Sequence, residues 1–122
     1  MAAEIKLKYF DLSEFDCHHT GKNEMDKDFL LRLDALRDAC GFPFKITSGY
    51  RDKTHPIERV KATPGMHSLG IAVDIFAPDG ITKRKIVQNA IELGFNGIGV
   101  GKSFIHVDTR KDYPVIWGYG AK

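Results

Sequence analysis

Among the histidines and carboxylates in the last half of this sequence, His67, Asp74 and the pair His106 and Asp108 stand in or beside short apolar runs. A neutral imidazole nitrogen and a carboxylate oxygen are ligands that zinc accepts at about 2.0–2.2 Å, and three of them leave a fourth position for water or substrate. His67, Asp74 and His106 are a complete set of that kind. His67 lies in Gly65-Met66-His67-Ser68-Leu69-Gly70, directly ahead of Ile71-Ala72-Val73-Asp74-Ile75. Side chains alternate along a strand, so Asp74 points away from the face occupied by Ile71, Val73 and Ile75. Gly70 lets the chain turn sharply from the histidine loop into that strand. In Phe104-Ile105-His106-Val107-Asp108 the alternation repeats, with His106 and Asp108 on one face and Ile105 and Val107 on the other. Taken singly, a strand histidine is more often a hydrogen-bonded structural residue, and an aspartate after an apolar run more often caps a turn. Only the set points to a metal.

Other residues with reactive side chains form no such set. Cys17 and Cys40 are too few for a disulfide framework and lack CxxC spacing, so both are expected as reduced thiols, with a Cys17–Cys40 bridge as the alternative. Cys17, His18 and His19 are adjacent and therefore point apart, which argues against a second metal site.

The elements that must position the ligands are legible as periodicities. From Asp26 to Cys40, Phe29, Leu33, Leu36 and Cys40 recur on one helical face with Leu30 beside them; Asp26 can cap the start, and Gly41 followed by Pro43 ends the run. A second helix is expected from about Thr82 to Leu93, with Ile86, Val87, Ala90 and Ile91 inward. Strand signals span Phe44 to Tyr50, Ile71 to Phe76, Gly97 to Val100, Phe104 to Asp108 and about Val115 to Trp117. Helices and strands do not alternate as βαβ units, so the expected class is α+β, a small antiparallel or mixed sheet packed with helices. The least regular segment, Asp52 to Met66 with Pro56, Pro64 and Gly65, stands just before the first candidate ligand.

Composition narrows the functions. A chain of 122 residues fits one domain over residues 1–122 and one principal site. Its 43% hydrophobic and 28% charged residues are ordinary for a globular protein, and no run approaches the ~18 apolar residues of a membrane span. The 18 basic and 16 acidic residues are interspersed, leaving no stripe to neutralise phosphates, so neither nucleic acid nor membrane is an expected partner. Met1 to Phe10 lacks the apolar run and cleavage site of a secretory signal.

Ser48-Gly49-Tyr50-Arg51, then His67 with Gly70, Ala72 and Asp74, then Phe104 to Asp108, and finally Trp117 and Tyr119, resemble in order the motifs of the M15 peptidases. That family comprises zinc D-Ala-D-Ala carboxypeptidases and phage L-Ala-D-Glu endopeptidases, with a fold shared by the hedgehog signalling domain. The resemblance covers about Phe15 to Tyr119. It implies a zinc ion on His67, Asp74 and His106, and Arg51 as anchor for a substrate carboxylate, a task that suits the planar guanidinium fork. An ion pair of Arg51 with Asp108 is the structural alternative. Tyr50 and Trp117 are candidate walls of the cleft. The implied activity is hydrolysis of peptidoglycan stem peptides by a monomer made in the bacterial cytoplasm without a signal peptide, reaching the wall through phage lysis, virion delivery or another export route.

Three positions depart from the family pattern. Ser103 stands three residues before His106, where many members carry the acidic general base; Gly65 replaces a common serine and Pro56 a common asparagine. Asp108 is the nearest remaining carboxylate, either as base or as the partner that orients His106 or Arg51, and His55 is the next candidate base. A metal-stapled module that binds cell wall without cutting it is the rival reading, and a serine hydrolase built on Ser68 or Ser103 lacks the nucleophile-elbow pattern.

Overall fold

The computed structural model describes residues 6–57 and 65–119; Pro64, within the irregular segment, lies outside the described residues. The chain begins with a short 3-10 turn, Leu12–Phe15, and then forms helix α1, Lys27–Cys40. Asp26 caps α1 by accepting the Phe29 amide proton at 2.9 Å, and Gly41 ends it at φ 77°, the left-handed conformation that glycine adopts without steric cost. The apolar stripe read from the sequence, Phe29, Leu30, Leu33, Leu36 and Cys40, is buried throughout. Helix α2 is Gly80–Glu92, starting two residues earlier than its periodicity suggests because Asp79 caps it on the Thr82 amide. Ile86 and Ala90 are buried, whereas Ile91 is exposed, against expectation. Five residues at 100° each turn Ile91 about 140° away from Ile86, beyond the core stripe.

Five strands form one mixed sheet: β1 Ile46–Ser48, β2 Ala72–Phe76, β3 Gly97–Val100, β4 Phe104–Asp108 and β5 Val115–Gly118, in the order β1-β2-β4-β3-β5. All neighbours are antiparallel except β3 and β5, which run parallel. The expectation of an α+β fold with a mixed sheet holds. β1 is shorter than its apolar run because the register breaks between Ile46 and Ser48, and the chain then leaves the sheet to dock on the 3-10 turn, where the Tyr50 amide donates to the Phe15 carbonyl.

The sheet has two unlike faces. Val73, Ile75, Ile98, Ile105 and Val107 join the buried stripes of α1 and α2 in one hydrophobic core. The alternate residues Asp74, His106 and Asp108 therefore lie on the opposite face, as strand periodicity requires. Core packing on one side thus fixes which way the polar side chains point on the other. Cys17 and Cys40 are both buried free thiols.

Candidate metal centre

The candidate centre is built on one line of sheet register. Ser48 pairs with Asp74, Asp74 with His106, His106 with Gly99 and Gly99 with Trp117, so this row crosses all five strands. Asp74 and His106 are thus direct cross-strand neighbours. His67 comes from the loop ahead of β2, which is tied down on three sides. Its carbonyl accepts from the Arg51 amide, the Gly70 carbonyl accepts from the Asp26 amide, and the Ile71 amide donates back to Met66. Gly70 takes φ +76°, and a Cβ there would stand 2.3 Å from the Glu24 carbonyl oxygen, so only glycine fits.

His67, Asp74 and His106 are buried and each offers one ligand atom, with all these atoms within 4.8 Å of one another. Asp74 Oδ1 lies 3.3 Å from His67 Nε2 and 3.1 Å from His106 Nδ1. Ligands about 2.0–2.1 Å from a tetrahedral ion stand roughly 3.3 Å apart, so these spacings fit a common zinc-sized ion. The outer nitrogens are fixed as well. His67 Nδ1 meets the Gly49 carbonyl at 2.8 Å and His106 Nε2 meets Asp108 Oδ2 at 2.7 Å. Both partners can only accept, so each outer nitrogen carries a proton, and the inner nitrogen facing Asp74 is the one that would ligate a metal once its own proton is displaced.

Charges reinforce this arrangement. Burial pushes the Asp74 carboxyl up, but hydrogen bonds from His106 and His67 outweigh it and hold the group well below the usual carboxylate range. For Asp108 burial is again opposed, by Arg110 and then His106, with the same net direction. Burial pulls His106 down, yet Asp108 and Asp74 together hold its pKa above the ordinary histidine value. Between two carboxylates the metal-free imidazole thus favours the proton that a metal would displace.

A cleft of about 520 Å³ opens over the cluster, lined among others by Arg51, His67, Asp74, His106, Arg110, Trp117 and Tyr119. Arg51 Nη2 lies 3.6 Å from Asp74 Oδ2, and its Nε donates to Ser48 Oγ. The alternative partner read from the sequence, Asp108, is corrected: Asp108 is fully buried and bound by Arg110, whose Nε and Nη2 donate to its two oxygens at 2.9 and 2.7 Å. Asp108 stands behind His106 and is not among the lining residues. Trp117 does wall the cleft, its ring 5.2 Å from that of His106. Tyr50 is placed elsewhere, buried with its hydroxyl donating to Glu24 at 3.1 Å, and burial together with Glu24 pushes its pKa up to about 12.

Ser103 is exposed in the turn between β3 and β4, and neither it nor His55 lines the cleft. Among the described lining residues Asp74 is the only carboxylate. Sequence reasoning missed Arg110, for which Asp108-Thr109-Arg110 gives only a weak local signal. It also missed Gly97 and Gly99. A Cβ on Gly97 would lie 2.2 Å from both Asp108 oxygens, and one on Gly99 would lie 2.6 Å from the Tyr119 ring and 2.8 Å from that of Trp117. The alternation Gly97-Ile98-Gly99-Val100-Gly101 was the available sign of that relief.

A family model described as Peptidase M15 matches residues 8–108, which contain every residue of the cluster. No curated protein matches this sequence.

Proposed function

The chain belongs to the M15 peptidase family, and we propose that it is a zinc peptidase that hydrolyses peptide bonds in peptidoglycan stem peptides. The observation that carries this reading is the convergence of His67 Nε2, Asp74 Oδ1 and His106 Nδ1 at the floor of a cleft, with the outer imidazole nitrogens held by Gly49 and Asp108. When bound there, zinc supplies a Lewis acid for the scissile carbonyl and lowers the pKa of a coordinated water toward ~7. His67 and His106 contribute fixed neutral nitrogens, and Asp74 contributes the negative charge that favours a cation over a proton. Arg51 presents a guanidinium at the β1 side of the cluster, where it can pair a substrate carboxylate. Asp108, turned away from the cleft, acts as a positioning residue for His106 rather than as the base.

A second reading, a metal-stapled module that binds cell wall without cutting it, is favoured by one observation. Among the described lining residues no carboxylate other than Asp74 faces the cleft, so the cleft offers no spare carboxylate to take a proton from water. Digestion separates the readings. Zinc-loaded protein incubated with defined muropeptides should release peptide fragments visible by mass spectrometry, and a chelator should abolish the release. Intact muropeptides that nonetheless co-sediment with the protein would select the binding module.

A further inference from the structure

We infer that Arg110 is a specificity-determining residue that takes a carboxylate of the substrate, on the side of the metal cluster opposite Arg51. The inference rests on the peptide-substrate reading above. Arg110 follows β4 and engages Asp108 side-on, through Nε to Oδ1 and Nη2 to Oδ2, with its own backbone amide on Oδ1 at 3.0 Å. A guanidinium carries five N–H donors. Those side-chain bonds use two of them along one edge and leave the end-on edge, Nη1 with the second proton of Nη2, able to form two parallel bonds to another carboxylate. Arg110 lines the cleft with its side chain 20% exposed, which leaves the side chain open to a ligand there.

The guanidinium is also held in place. Its carbon stands 5.0 Å from the centre of the Trp117 ring, and the paired bonds to Asp108 fix its orientation. A fork oriented in advance loses little freedom on binding. Strand β3 is relieved for the same assembly, with Gly97 making room for Asp108 and Gly99 for Trp117. Holding Asp108 would not by itself require a place in the cleft lining or a tryptophan beside the guanidinium.

Charge and placement then define the substrate. Arg51 stands on the β1 side of Asp74 and Arg110 on the β5 side of His106, so the metal cluster lies between two cations. Among the described lining residues the charged groups are Arg51, Arg110 and Asp74, with Asp108 behind Arg110, so a bound divalent ion would add to a positive balance there. The ligand that fits is a peptide with two carboxylates, one on either side of the metal. A stem peptide with a free D-glutamate α-carboxyl in addition to its C-terminus has that chemistry, and amidation of the α-carboxyl removes it without changing shape.

The test is calorimetric binding of two synthetic stem peptides, identical except that this α-carboxyl is free or amidated, to zinc-loaded protein of measured metal content. The parent should bind the acid form about tenfold or more tightly, as expected for charged hydrogen bonds. Arg110→Lys and Arg110→Gln, compared at equal zinc occupancy, should bind both forms alike. Equal binding of the two peptides by the parent overturns the inference even if neither variant folds. Variants that keep the preference, or that lose both peptides only in proportion to lost zinc, overturn it too and leave Arg110 as a support for Asp108. Cleavage recorded in the same samples separates the two claims, since preference without cleavage removes the peptidase reading alone and cleavage without preference removes the role of Arg110 alone.

Discussion

Asp108 has each oxygen engaged, one by His106 and both by Arg110, and it contributes no atom to the wall of the cleft. Asp108→Asn should therefore weaken zinc by roughly 10–100-fold, the usual cost of losing such a partner, with turnover restored at high metal concentration. Activity lost at full zinc occupancy, measured by metal analysis beside the assay, would instead make it the base. Ser103 precedes β4 on the alternation of Ile105 and Val107, which face the core, and it is exposed away from the cleft. A carboxylate placed by Ser103→Asp should accordingly leave peptide hydrolysis unchanged, whereas a rise in rate would show that this turn reaches the bound water. Arg51→Ala should weaken binding of carboxylate-terminated peptides, because its guanidinium lines the cleft beside Asp74, and a fall in peptide affinity no greater than the fall in zinc content would contradict this. At this scale the sequence told which residues were chemically equipped. It did not tell which oxygen met which nitrogen, because Arg51 and Arg110 are both arginines within reach of an aspartate and only the strand order decides between Asp74 and Asp108.

At the scale of elements, period-two alternation in β2 and β4 was sufficient to place Asp74 and His106 off the core face, and the helical stripe of α1 was read correctly to the residue. The pairing of Asp74 with His106 was not legible in either strand alone, since register is set by cross-strand packing of Val73 with Val107 and Ile75 with Ile105. Nor was the parallel return of β5, which carries Trp117 to the cleft. The glycines of β3 are the cheapest place to test this layer. Gly97→Ala should displace the Asp108 carboxylate, because a Cβ would sit 2.2 Å from both oxygens, and should cost about 1–3 kcal/mol by overpacking together with a loss of zinc affinity. Parent-like stability and zinc affinity in that variant, by thermal melts and competition with a chelating dye, would mean that Asp108 is not held where this account needs it.

For the whole molecule, the core on one sheet face and the buried His67, Asp74 and His106 on the other couple folding to pH, and would couple it to a bound metal. In the metal-free protein Asp74 and Asp108 titrate below their unfolded values, so their contribution is present above about pH 4 and is lost as pH falls through the folded values. His106 is raised, so its contribution is present below about pH 6.5 and is lost as pH rises through its folded value. Zinc requires deprotonated ligands, so the stabilisation it would give, about 2.7 kcal/mol at a hundredfold excess over Kd, would grow with pH. The gap in melting temperature between zinc-loaded and metal-free protein should therefore widen from pH 6 to pH 8, and a gap that narrows would remove His106 from the ligand set. The family and the fold class were legible from the ordered motifs, while the identity of the ion is a matter of chemistry that only occupancy decides. The most direct measurement is equilibrium zinc content of the parent and of His67→Ala, Asp74→Ala and His106→Ala after dialysis against buffered zinc. One zinc per parent chain and its loss in all three variants is the expected result; a parent that retains none, or variants that retain it, would contradict the assignment of His67, Asp74 and His106 as ligands.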